Sequence, residues 1–381
     1  MTAMPLFDPS GDHANRLVPA GWLFYLAIGL EILFMISPAA GYFYALYGPA
    51  LNLLDRWAVT AWLTQFFLPH ISTTRSAVLN ALPCIGGFCV LVGAAWFLIA
   101  AAQLYWSKFR RLGPVTTGLY RLSRHPQYCG LALLGLGALL LWPRFLALIA
   151  YVLMLFLYRF LAAAEERRCE QRFGDSYRDY RTRTRITWPL ASAGTEPAKE
   201  AAVPGSPWRV RSQAGLTMIA VVVSVVVAVG LREYTLSQLS AHYDKHTAVL
   251  SPAPLDGELL AAYRAAVEDG RVRQLLADAG TNPLLVHVLP EDWHLADLPM
   301  ETGSEHGGHD TPADFDRRRY KLLFSRARTH LPESVGKAIV RSAYGIDPLI
   351  LVRVDIEARR VTAVEKPPTH VRWGDIPSPL F

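Results

Sequence analysis

The chain has 381 residues, a length that fits two domains, and 52% of them are hydrophobic with a mean hydropathy of +0.20, high for a soluble protein. Its net charge of +6 is gathered in a few segments, which argues against a diffuse nucleic-acid-binding surface. All four cysteines (Cys84, Cys89, Cys129, Cys169) precede residue 170, so the C-terminal part has no internal disulfide, and no metal-ligand spacing links them.

Taken in order, residues 1–19 are a polar tail broken by Pro and Gly. Gly21–Ser37 is the first apolar run, extendable to Tyr47 through Pro38 and Gly41. It is too long, and with Arg16 alone before it too weakly basic at its start, for a secretory signal. Glu31 lies inside this run, either facing a partner or functional group or touching water near a kink. Leu51–His70 is long enough to cross a bilayer, but Asp55 and Arg56 interrupt it, so it either spans or lies in the interface. Leu82–Trp106 reads as a span anchored by Tyr105 and Trp106.

Two further apolar segments, Gln127–Trp142 and Phe145–Ala164, are separated only by Pro143-Arg144, which forces an antiparallel hairpin. At a helical rise of about 1.5 Å per residue they reach roughly 24 and 30 Å. Ala191–Ser212, rich in Ala, Pro, Gly and Ser, reads as a linker, and Gly215–Leu231 as a further single span. The fold expected is a polytopic α-helical membrane bundle of about five spans, or four plus an interfacial helix. A sixth span and a soluble α+β domain over 232–381 follow. That domain should hold a helix in Asp256–Ala279 and strands at Pro283–Leu289, Tyr320–Ser325, Leu349–Asp355 and Arg360–Lys366, the last two as a hairpin.

Charge sets an expected orientation. Ser107–Arg124 carries Lys108, Arg110, Arg111, Arg121 and Arg124, and Arg167, Arg168, Arg172, Arg178, Arg181, Arg183 and Arg185 follow Ala164. The opposite loops offer only Arg75 and Arg144. The positive-inside bias puts the first set in the cytoplasm and residues 232–381 outside an integral cytoplasmic membrane.

The hairpin returns Arg124-His125-Pro126 and Glu165-Glu166 to one membrane face. Around them stand Gly118, Tyr120, Tyr128 and Gly130, and behind them Phe173-Gly174, Tyr177 and Tyr180. This order, G-x-Y, R-H-P-x-Y-x-G, an apolar hairpin, E-E and F-G-x-x-Y-x-x-Y, resembles the isoprenylcysteine carboxyl methyltransferase and phospholipid methyltransferase family of integral-membrane enzymes. The resemblance covers roughly Ile85 to Pro189 and does not extend past about residue 190.

The resemblance implies S-adenosylmethionine as methyl donor and a lipid-like acceptor, prenylated or acylated. It implies His125, Pro126, Tyr128, Gly130, Glu166 and Tyr120 as donor-binding residues and Glu165 and Arg124 as catalytic ones. Within it Glu166 accepts from the donor's amino group or ribose, Glu165 is oriented by a nearby arginine, and Gly130 lets its helix approach the donor or a partner helix. Which glutamate does which stays open. Pro126 suits the first helical turn, where an N–H is dispensable. Each piece also has a plainer reading. Arg-His-Pro serves as a cap and headgroup contact, and Glu165-Glu166 before Arg167-Arg168 as a solvated helix end. The tail arginines suit an acceptor's carboxylate or phosphate, or simply anionic lipid, and Tyr177, Tyr180 and Trp188 suit interfacial anchors.

Two functional classes remain. One is a methyltransferase, on a carboxylate or thiolate that needs no base, or on an amine that must first lose a proton to Glu31, Glu165 or His125. The other is a non-catalytic membrane protein whose external domain binds a ligand or partner. His306, His309 and Asp310 sit in a Gly-rich loop without the fixed geometry that a metal site needs.

Overall fold

The computed structural model describes residues 48–70, 72–184, 207–278, 280, 283–295, 298–300, 306–307, 311–331 and 333–368. The first apolar run with Glu31, the 185–206 segment with Trp188, and His309 and Asp310 lie outside them.

Helix α1, Gly48–Asp55, is only eight residues long and is followed by a helical turn at Ala58–Ala61 and a 3-10 turn at Trp62–Thr64. Leu51–His70 therefore does not cross as one helix. Asp55 and Arg56 end the helix where the sequence falters, and the rest folds against the bundle end. Helix α2, Ala77–Arg110, opens with the Ser76 side chain accepting from the Leu79 N–H and closes at Arg111 in the left-handed region. A short turn α3, Leu119–Leu122, leads to α4, Pro126–Leu141, and α5, Phe145–Phe173. Helix α6, Asp175–Arg183, follows directly, and α7, Pro207–Ser237, begins inside the stretch read as linker. Among the described residues three helices are long and apolar enough to cross a membrane, within Ala77–Arg110, Phe145–Phe173 and Ala214–Ser237, and α4 is a shorter apolar helix.

The Pro143-Arg144 break does turn the chain back, but α4 packs most extensively on α2. The buried face of α2 is Leu79, Gly86, Gly93, Ala100 and Ser107, a strict seven-residue repeat of mostly small side chains, and Gly130 and Gly137 answer it from α4. A Cβ at Gly137 would stand 2.6 Å from the Val90 nitrogen, and one at Gly130 2.7 Å from the Phe97 nitrogen. The backbones touch, which only glycine permits. Helix α5 meets α4 differently, through tyrosine. The Tyr151 hydroxyl donates to the Ala132 carbonyl at 3.0 Å, and the Tyr158 ring stacks on Tyr128.

The end of the bundle remote from Arg124 is tied to the C-terminal region by the segment Thr64–Leu68. The Thr64 carbonyl accepts from Arg144, the Phe66 carbonyl from Arg232 and the Phe67 carbonyl from Thr235. The Phe67 N–H donates to Pro143 O at 2.9 Å, and the Phe145 N–H to Gln65 O at 3.2 Å. Arg144 is fully buried, its guanidinium 4.2 Å from the Phe66 ring centre, so it is a structural plug where the sequence suggested an ordinary loop cation.

Beyond α7 lies a mixed six-stranded sheet in the order β1-β2-β3-β6-β7-β8. Its strands are β1 Ser240–Tyr243, β2 Thr247–Ser251, β3 Leu284–Pro290, β6 Arg319–Thr329, β7 Ala343–Asp355 and β8 Arg360–Glu365, and short strands β4, Trp293–His294, and β5, His306–Gly307, pair separately. Only β2 and β3 run parallel within it. The β2–β3 crossover carries α8, Gly257–Glu268, and α9, Gly270–Asp278, which split the single helix expected there at an extended Asp269. A last short helix, α10, is Lys337–Ser342. The core gathers around Val286, Trp293, Tyr320, Leu322 and Phe324, all fully buried, and the region is α+β as the sequence implied. It docks on α7, where Glu233 pairs with Lys337 at 3.3 Å and with Arg341.

Candidate functional site

At the other end of the bundle, α4 begins and α5 passes alongside it. Pro126 occupies the first turn of α4 and is buried, which leaves His125 just outside the helix. The His125 N–H donates to Ser123 Oγ at 3.2 Å, and Ser123 itself is buried. This turn aims the imidazole at α5, which brings Glu165 and Glu166 to the same level.

The imidazole sits between the two carboxylates. Nε2 lies 3.2 Å from Glu166 Oε1 and Nδ1 lies 3.5 Å from Glu165 Oε2. Arg124 Nε stands 3.1 Å from Glu166 Oε1 without the alignment of a hydrogen bond, and its Nη1 donates to the Arg181 carbonyl at 3.4 Å. The Tyr128 hydroxyl donates to Glu165 Oε1 at 2.9 Å. The side chains of Arg124, His125 and Glu166 are 11%, 10% and 15% exposed, whereas Glu165 is 48% exposed. Glu166 is thus an inner, charge-compensated carboxylate and Glu165 an outer one open to an arriving group. The arginine beside the pair holds Glu166; the glutamate that the resemblance would have oriented by an arginine is gripped by Tyr128 and His125 instead.

Burial disfavours the charged imidazole, but hydrogen bonds to Glu165 and Glu166 and the charge of both outweigh it. His125 is held above its ordinary value of 6.5. The two carboxylates thus favour the protonated imidazole between them, with Glu166 on the sheltered side and Glu165 on the open one.

Three expected site residues sit at the edge of this cluster. Gly130 faces α2, its missing side chain used for helix contact. Tyr120 is buried; its hydroxyl points to the Ala100 carbonyl at 3.5 Å, and its carbonyl accepts from the Tyr180 hydroxyl at 2.6 Å. Pro126 shapes the turn. Tyr177 and Tyr180 are 5% and 7% exposed and dock α6 beneath the cluster, where the sequence suggested interfacial anchors. Burial raises both phenols well above their ordinary range, so they remain neutral packing groups. Arg181 and Arg178 are held by Glu170 at 3.3 and 3.2 Å.

Sequence reasoning passed over Tyr158, which is buried and stacked on Tyr128 with ring centres 5.3 Å apart. The spacing Tyr151, Tyr158, Glu165 at intervals of seven was the available signal, because it places all three on one helical stripe. Gln103, whose Oε1 accepts from the Leu119 N–H at 3.2 Å, was signalled by being a lone amide in an apolar run.

The donor set fits the sulfonium nucleoside that the sequence resemblance implies. Each oxygen of Glu165 has one protein partner and retains lone pairs for an ammonium or hydroxyl donor. The Tyr128 and Tyr158 rings form an aromatic wall beside it. Residues 77–176 match the family model described as phospholipid methyltransferase, a stretch from the start of α2 to the start of α6 that contains the whole cluster except Tyr177, Tyr180 and Arg181. Comparisons with curated proteins and with solved structures gave no match.

Proposed function

With residues 77–176 forming a phospholipid methyltransferase family domain, we propose that the chain is an integral-membrane methyltransferase that uses S-adenosylmethionine and acts on a lipid-like acceptor. The observation that carries this reading is the imidazole of His125 set between Glu165 and Glu166 at one end of an apolar bundle. The donor, when bound, supplies an electrophilic methyl group on a positively charged sulfur. The work left to the protein is alignment, exclusion of water and charge balance. Glu165 offers acceptor oxygens to the donor's amino or ribose groups, Tyr128 fixes that carboxylate, and Arg124 and His125 hold Glu166 in place.

Both ring nitrogens of His125 face carboxylates, Nδ1 towards Glu165 and Nε2 towards Glu166, so neither is turned to an acceptor's proton. An acceptor that arrives as a carboxylate or thiolate needs no base and suits this site better than an ammonium. An amine acceptor would call on the outer Glu165. The clustering of basic residues at this end supports a cytoplasmic site and a C-terminal region on the far side of the membrane.

The test is calorimetric binding of S-adenosylmethionine to the full chain purified in detergent, followed by transfer of labelled methyl to total lipid. Alkali-labile label indicates a methyl ester and alkali-stable label an N-methyl or S-methyl product. Absence of donor binding by the folded protein overturns the reading in favour of a membrane anchor or sensor. Reporter fusions after Trp106 and Phe381 test the orientation, and opposite compartments are expected.

A further inference from the structure

Helix α4 is held on its two flanks by opposite means. On the α2 side glycine brings the backbones together; on the α5 side tyrosine keeps them apart. Tyr151 and Tyr158 are one heptad apart on α5, and Glu165 is one heptad further. Tyr151 supports α4 at Ala132 and lies beneath Gly135. Tyr158 supports it at Tyr128, ring on ring at 5.3 Å and 15°. The column continues, for Tyr128 stacks in turn on His125 at 5.7 Å and 25°. Two of the three rings in this column, those of Tyr128 and His125, contact Glu165.

We infer that Tyr158 is a positioning residue for donor binding, acting through Tyr128 on the Glu165 carboxylate; this rests on the methyltransferase reading above. Glu165 is the exposed member of the acidic pair, about two turns before the end of α5 with its side chain open to water, and an unrestrained glutamate there samples several rotamers. Its alignment depends on the Tyr128 hydroxyl at 2.9 Å. That hydroxyl is placed by the ring that carries it, and one face of that ring rests on Tyr158. Tyr158 is itself buried and set in the middle of α5, away from the helix end, so it is the fixed part of the column.

The test measures S-adenosylmethionine affinity by calorimetry for the full chain and for Tyr158→Leu, Tyr128→Phe and the double variant. Tyr158→Leu is expected to weaken binding about tenfold, the loss of one aligned hydrogen bond to a charged group. In the Tyr128→Phe background the same substitution should cost less than about twofold, since both act through one contact. Tyr158→Phe keeps the ring and should stay within about threefold of wild type. Tyr151→Leu removes the matching strut one heptad away and should lower thermal stability while leaving affinity unchanged. Where Tyr158→Leu fails to accumulate, Tyr158→Met, which keeps volume but not a flat ring, makes the same comparison. Wild-type affinity in the Tyr158 variant, or an equal loss in both backgrounds, overturns the inference alone. No binding by the wild type overturns the functional reading and this inference with it.

Discussion

His125 Nε2 lies 3.2 Å from Glu166 Oε1, joining the turn before α4 to the polar end of α5 across 41 residues of sequence. The same oxygen faces Arg124, so one largely sheltered carboxylate answers both the imidazole and the guanidinium. Removing either partner should be felt at the donor site. His125→Ala and Glu166→Gln are each expected to weaken S-adenosylmethionine binding about ten- to a hundredfold, measured by calorimetry. Glu166→Gln should also lower the melting temperature more than His125→Ala, because it leaves Arg124, 11% exposed, without its counter-charge.

The stability of this cluster should depend on pH in a defined direction. His125 titrates above its ordinary value of 6.5 in the folded protein, so the native state binds the proton more tightly than the unfolded chain does. The resulting stabilisation is fully present below the unfolded value and fades as pH rises through the folded one. Against a His125→Gln reference, the wild type is expected to gain most in melting temperature below the ordinary value of 6.5 and to lose that advantage progressively as pH rises above it. An advantage that grows with pH would contradict the protonated bridge.

Arg144 should contribute strongly to stability although it lies far from the cluster. From sequence it is one loop cation opposite the motif face, and its removal would be harmless. In the structure it is fully buried, donates to the Thr64 carbonyl and stands over the Phe66 ring. Arg144→Gln is expected to destabilise by about 3 kcal/mol, since the buried Thr64 carbonyl and the Phe66 and Trp142 rings lose their partner together. Detergent-solubilised protein that survives should bind the donor normally, and thermal melts with calorimetry separate the two effects.

The α2–α4 seam offers a paired comparison. A Cβ on Gly137 would stand 2.6 Å from backbone nitrogen of Val90, whereas one on Gly87 meets nothing within 4 Å. Gly137→Ala is expected to cost about 1–3 kcal/mol through backbone displacement. Gly87→Ala should be neutral or slightly stabilising, by up to about 1 kcal/mol, because alanine favours the helix. Chemical unfolding of the two variants side by side checks both.

Much of this was legible in the residues themselves. Pro143-Arg144 announced the turn between α4 and α5, and the R-H-P and E-E pieces announced the place where they meet. The strands from Arg319 onward were read nearly in place, because alternating or continuous apolar runs bounded by turn residues leave little choice. Strands β1 and β2 were missed, being short and without alternation that stands out. The preference of α4 for α2 over its sequence neighbour was missed for a different reason. A short loop argues for adjacent helices, but contact in a bundle is decided by which faces are small, and that signal lay in the heptad spacing of Gly86, Gly93, Gly130 and Gly137. Tyr177 and Tyr180 were misread because interfacial tyrosine and buried tyrosine look alike until the helix carrying them is placed.

The segment Thr64–Leu68 receives or donates backbone hydrogen bonds to the α4–α5 turn, to the head of α5 and to the foot of α7. Helices α5 and α7 and the turn that ends α4 are thereby pinned at one end by groups that cannot slide without breaking a hydrogen bond. A bundle clamped in this way behaves as tweezers do, with a stiff heel and compliant tips. Any parting of α5 from α4 has its largest amplitude at the tips, where Glu165 and Tyr128 meet, and its smallest at the heel beneath the sheet.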